Sequence, residues 1–386
     1  MTSRFGPNFP RVFAAALFQE ISFALFVHFP GYLEDLGATA YLIGLLYGAA
    51  AVVGLLLRPA LGRVLDLTHR RTVLLVSGGV NTVVLLALTL TSEWGLFLWG
   101  LFLAQRLLQI AIFTAMLTYG ADSIPPKRRT QGLAVFGLSG LIPIALSGVL
   151  GDLIIASYGF VGLFLTAAVA EAIAWLLVWR LPTLPVLGRR PRRGFWAAVW
   201  QRNLLPLWLA GLCFAIGLET VFTFTRVYVD ARQVGTAGLF FGVYGATAAA
   251  TRLLGGSRYD RLPQRPLIVL SILAYASGLA LMALAESAFM LGAAALVAGL
   301  AHGAIFPILT SQVVHRSRTA ERGSAMSTFT SLFEVSVLLA APAVGFLIDG
   351  FSFRVGFGAA ALTLVLGAVV YAFWDARLAV SESATV

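Results

Sequence analysis

"RPALGRVLDLTHRR", residues 58–71, crowds five cationic or titratable side chains and one acid (Arg58, Arg63, Asp66, His69, Arg70, Arg71) into fourteen positions. The chain on either side is apolar. A hydrocarbon core about 30 Å thick needs a helix of about 20 apolar residues to cross it. Long runs of that kind flank the stretch and recur along the chain. A charged cluster between two such runs reads as the short loop joining two membrane helices. The composition agrees: of 386 residues 59% are hydrophobic and only 11% charged, against about 25% charged in a soluble domain. The fold class that follows is an all-α, polytopic membrane protein.

Working outward from residues 58–71, apolar runs fall near 10–33, 40–65, 71–91, 94–121, 130–156 and 159–181. Six more lie near 203–229, 236–257, 266–286, 288–314, 322–348 and 353–376. The N-terminus has no small-residue cleavage site, so its first run reads as a retained span. Between the sixes lies "LPTLPVLGRRPRRGFW" (181–196), rich in Pro, Gly and Arg. The expected domains are an N-terminal bundle over 1–181, a basic linker over 182–202 and a C-terminal bundle over 203–386.

Positive charge alternates from loop to loop. One set carries Arg63/Arg70/Arg71, Lys127/Arg128/Arg129, Arg189/Arg190/Arg192/Arg193, Arg258/Arg261/Arg265 and Arg316/Arg318/Arg322. The opposite set carries little net charge. Cytoplasmic loops retain Lys and Arg, which predicts that both termini are cytoplasmic in a multi-pass inner-membrane protein. The net charge of +10 is then topological, and nucleic acid is not an expected partner. One cysteine, Cys213, excludes an internal disulfide and any cysteine metal cluster.

The second half echoes the first. At an offset of 194, residues 58–71 meet "RLLGGSRYDRLPQR" (252–265), with Arg58 on Arg252, Gly62 on Gly256, Asp66 on Asp260 and Arg71 on Arg265. "SGVLGD" (147–152) and "VGFLID" (344–349) each end the fifth run of a half. Internal repetition of this kind marks secondary transporters.

With these residues in view, the chain resembles the major facilitator superfamily. That family's loop between spans 2 and 3 follows Gly-x-x-x-Asp-x-x-x-Arg-Arg/Lys, matched by Gly62, Asp66, Arg70 and Arg71. The resemblance implies twelve helices in two pseudo-symmetric six-helix bundles. It also implies that Arg58, Gly62, Asp66, Arg70 and Arg71, with Arg252, Gly256, Asp260 and Arg265, act as a conformational latch. Positive-inside anchoring alone is the alternative, and the second copy argues against it. The motifs stand nearest to the drug/proton antiporters: "AQRLLQIAIF" (104–113) supplies Arg106 and Gln109 of their Arg-x-x-Gln-Gly, with Ile110 in place of the glycine. Pro143 stands without the Gly-Pro pair usual in exporters, which leaves direction open.

Ionisable residues inside a membrane run are costly and mark function by default. Glu20, Arg106, Glu219, His302 and Glu334 lie near the middle of runs 1, 4, 7, 10 and 11. By resemblance, the first and fourth spans of each half line a central cavity. We therefore expect Glu20, Arg106, Gln109, Glu219, His302 and Glu334 to form the proton-coupling and substrate set. Glu20 is expected to pair with Arg106, and Glu219 and Glu334 to handle protons or a cationic substrate. Glu171, in run 6, is expected at the periphery and reads as structural. Phe18, Phe23, Phe26, Phe222, Phe224 and Phe306 lie near these groups and suit an amphiphilic molecule.

The function expected is proton-coupled efflux of a small amphiphilic molecule, by a monomer that contacts membrane lipids. A proton symporter importing a small organic nutrient and a flippase for lipid-like substrates remain open. The four histidines lack metal-ligand spacing and no phosphate-binding loop appears. Catalysis, a metal and ATP drive are therefore not expected, and the proton gradient is the expected energy source in place of a cofactor.

Overall fold

The computed structural model describes residues 5–125, 132, 135–184, 199–255, 259, 262–318 and 321–383, without the side chains of 62, 63, 65, 66 and 379–383. The described residues are all-helical. Eleven helices among them are long and apolar enough to cross a membrane. They are α1 (Phe9–Asp35), α2 (Ala40–Leu67), α3 (Arg70–Leu88), α4 (Leu96–Ser123), the 42-residue Leu138–Trp179, α7 (Leu205–Arg232), α8 (Ala237–Gly255), α9 (Gln264–Ala283), α10 (Ala288–Arg316), α11 (Arg322–Gly350) and α12 (Phe353–Ser383).

The 42-residue helix is two crossings in one. At 1.5 Å per residue it would run about 63 Å, twice a bilayer's hydrocarbon. It divides at Gly159, whose φ of 65° and ψ of −168° leave helical space. Only glycine adopts that backbone readily. The division falls at the boundary that the apolar runs predict, giving α5 (138–158) and α6 (160–179), and twelve membrane-length segments in all. α1 is interrupted once, by a 3-10 turn at Leu25–His28 just before Pro30. The proline cannot donate to the carbonyl four residues back, so the turn tightens there.

The chain clusters into two units. Unit 1 comprises Met1–Ala38, Val52–Gly188 and Ala237–Gly245; unit 2 comprises Thr39–Ala51, Arg189–Thr236 and Ala246–Val386. Each unit thus takes in the opening stretch of one helix, α8 or α2, from the opposite half of the sequence. In unit 1 the core is aromatic: Phe29 stacks on Phe102 at 5.0 Å, and Tyr32 meets Phe164 edge-on at 5.0 Å. That joins α1, α4 and α6. In unit 2, Tyr228 of α7 packs on Phe353 and Phe357 of α12 at 5.4 and 5.3 Å.

Candidate functional site

In unit 1 the expected residues lie on α1 and α4. The Arg106 guanidinium sits over the rings of Phe23 and Phe102, at 5.8 and 5.9 Å. Stacking a cation on aromatic faces compensates part of its lost hydration. One ring belongs to the arginine's own helix and the other to α1. Glu20 is half-buried. Gln109 is buried, and both its amide atoms lack a hydrogen-bond partner; the same holds for Gln19 of α1. Gln19 carried no signal of its own in the sequence, beyond standing next to Glu20.

Unit 2 holds Glu219, His302 and Glu334 on α7, α10 and α11. Thr223, one turn after Glu219, donates its hydroxyl to Glu219 Oε1 at 2.5 Å. His302 is buried, its ring 5.3 Å from that of Phe214. Phe306, one turn further along α10, contacts Phe329 and Phe333 of α11. Arg252 joins this group, its guanidinium 5.4 Å over the Phe306 ring and within electrostatic reach of His302. Arg252, which the sequence assigns to the latch, stands beside a residue of the proposed coupling set. Glu334 is half-buried on α11.

The latch residues divide. Arg70 pairs with Asp122 of α4 at 3.6 Å. Arg71 donates to the carbonyls of Val178 and Trp179, the latter at 2.6 Å, and His69 Nδ1 lies 3.1 Å from the Leu184 carbonyl. The last carbonyls of a helix have no intrahelical donor, and a cation there also meets the negative end of the dipole. So the basic end of residues 58–71 closes the end of α6 within unit 1. Arg58 is half-buried, and Arg265 is exposed near Tyr371. Gly62 lies within α2; the side chain of Asp66 lies outside the described residues, as do Gly256, Asp260 and residues 185–198 of the linker over 182–202.

Two acids that the sequence showed only as an echo hold helix starts. Asp152 accepts the backbone N–H of Gly238 at 2.6 Å in unit 1. Asp349 accepts those of Ala40 and Tyr41 at 3.1 and 2.8 Å in unit 2. The same separation, 197 residues, relates 152 to 349 and 41 to 238. A carboxylate at a helix N-terminus satisfies orphan N–H groups and meets the positive end of the dipole. Asp152 also lies 3.6 Å from Nδ1 of buried His28. His28 Nε2 faces the carbonyls of Gly148 and Ser147, at 3.1 and 3.3 Å. Carbonyls only accept, so Nε2 carries the hydrogen and Nδ1 faces the acid.

Two pseudo-symmetric sets of helices with intramembrane charge are the architecture of a secondary transporter, and the sequence comparison agrees. The Major Facilitator Superfamily profile matches residues 12–256 and 233–384. The chain belongs to that superfamily. An uncharacterized MFS-type transporter of Salmonella typhimurium is 28% identical over 371 residues, covering 87% of this chain and 88% of the relative. A second, from Pseudomonas aeruginosa, is 26% identical over 357 residues, covering 88% and 85%. The crystal structure of a POT family transporter in complex with 5-aminolevulinic acid superposes with a TM-score of 0.82, at 12% identity and 96% coverage of both chains. These relatives and structural neighbours are transporters, not enzymes. The chain is therefore a multi-pass membrane secondary transporter for a small molecule.

Proposed function

We propose that this MFS transporter exports small, lipophilic or amphiphilic molecules in exchange for protons, by alternating access. The carrying observation is the placement of ionisable side chains in otherwise apolar helices: Glu20 and Arg106 in unit 1, Glu219, His302 and Glu334 in unit 2. Aromatic rings border them, with Phe23 and Phe102 against Arg106 and Phe214 against His302. Apolar walls with a few polar groups suit an amphiphile, and carboxyls inside a membrane suit proton exchange. In this reading both termini are cytoplasmic, bundles over 1–181 and 203–386 flank the linker over 182–202, and the monomer is the working unit. Arg58, Gly62, Asp66, Arg70 and Arg71, with their counterparts, govern the change between states.

Inverted membrane vesicles test the direction and the coupling. Ethidium, a lipophilic cation, is expected to accumulate when the lumen is acidified. Accumulation that ignores the pH gradient would refute coupled export. Ethidium driven the other way by the same gradient would identify a symporter.

A further inference from the structure

One buried acid is not a member of the set above. Glu171 of α6 is 2% exposed. It shares a helix face with Trp175, one turn on, whose indole N–H donates to the Leu75 carbonyl of α3 at 2.9 Å. α6 lies against α3 at Gly78 and Gly79. A Cβ on Gly78 would stand 3.4 Å from Glu171 Oε1, and one on Gly79 would stand 3.3 Å from Trp175 Nε1. The carboxyl and the indole thus face α3 at this glycine pair.

The groups acting on the Glu171 carboxyl are Asn81 of α3, Ser22 of α1 and the carboxyl of Glu20. None is a cation. The arginines of α3, Arg70 and Arg71, are engaged by Asp122 and by the end of α6. On α5, Asp152 is engaged by Gly238 and His28. Asn81 is 1% exposed, and neither its Nδ2 nor its Oδ1 has a hydrogen-bond partner. Glu171 Oε2 has none either.

We propose that Glu171 and Asn81, with Ser22 beside them, form a proton-binding site inside unit 1. The donor and acceptor count carries it. A carboxylate offers only acceptors, while an amide offers two donors and one acceptor. Against an ionised Glu171, Asn81 Oδ1 faces no donor. One proton on Oε2 changes that: the new O–H donates to Asn81 Oδ1, and Nδ2–H donates back to Oε1. The neutral acid also avoids an unpaired charge in an apolar interior. The proton is taken from water as the Glu171 O–H bond forms and is returned to water as that bond breaks. The site's use rests on the proton-coupled reading above; its occupancy does not.

Infrared difference spectra of the purified full chain, titrated in pH, test it directly. A carbonyl stretch from a buried protonated carboxyl, sensitive to deuteration, is expected in the wild type and in Glu20→Gln. It is expected to vanish in Glu171→Gln and to shift in Asn81→Ala, with thermal unfolding showing that each variant is folded. A band that persists in Glu171→Gln overturns the proposal. So does a wild type without the band, or with a band that emerges only when sodium is withdrawn, which would make the pocket a sodium site. Ethidium transport in proteoliposomes separates the two readings. A Glu171-dependent band without any gradient-driven transport establishes the site and refutes the coupling.

Discussion

Asp349 Oδ2 accepts the backbone N–H of Tyr41 at 2.8 Å, and its other oxygen takes that of Ala40. One side chain therefore satisfies two of the donors that a helix start leaves open. Asp349→Asn keeps one acceptor oxygen and loses the charge. Asp349→Ala loses both. The aspartate is exposed, so the charge contributes only about 0.3–1 kcal/mol. Removing the capping oxygen costs about 1 kcal/mol. Thermal unfolding in detergent should rank wild type above Asn and Asn above Ala. Equal melting points for all three would show that the contact adds nothing measurable.

The two arginines that close the loop at 58–71 should differ in the same assay. Arg71 donates to Val178 and Trp179. Arg70 forms a 3.6 Å pair with Asp122, of the partly exposed kind worth about 0–1 kcal/mol. Charged hydrogen bonds to orphan carbonyls contribute more, about 1.5–3 kcal/mol when well formed. Arg71→Ala should therefore lower the melting point further than Arg70→Ala. The opposite order would mean that Arg71 acts elsewhere, as in a latch.

These contacts mark how far the sequence could be read. The twelve runs are legible because each buries its apolar side chains over a full membrane thickness, and even the division at Gly159 lies where the runs separate. The ionisable residues are legible as exceptions to that apolar background. Arg71's partners are not, because a backbone carbonyl has no letter of its own. The acids at 152 and 349 showed as an echo, yet their partners are N–H groups that any residue would supply. Glu171 reads as structural from its run alone. Its place beside Asn81 depends on which way α6 faces, which the apolar run does not state.

Cys213 provides an internal gauge of folding. It is 3% exposed, within α7, and it is the chain's one cysteine. A membrane-impermeant maleimide should leave the folded protein unlabelled and react fully once it is denatured. Rapid labelling of the native protein would place the thiol on a water-accessible path instead.

That gauge serves a sharper prediction one helix face away. Glu219 Oε1 accepts from Thr223, and a glutamine oxygen can accept the same hydroxyl, so Glu219→Gln removes the titration without disturbing α7. Glu334→Gln replaces the carboxyl of α11 with an amide of the same shape. In both variants Cys213 should stay protected and the melting point should stay near that of wild type. Transport driven by a pH gradient should be lost, while exchange of labelled for unlabelled ethidium across proteoliposomes persists. Exchange needs the substrate path and the change of state, but no net proton movement. Loss of both activities would make the carboxyls substrate ligands. Full coupling in both variants would remove them from the proton path and leave Glu20 and Glu171 as the acids to test.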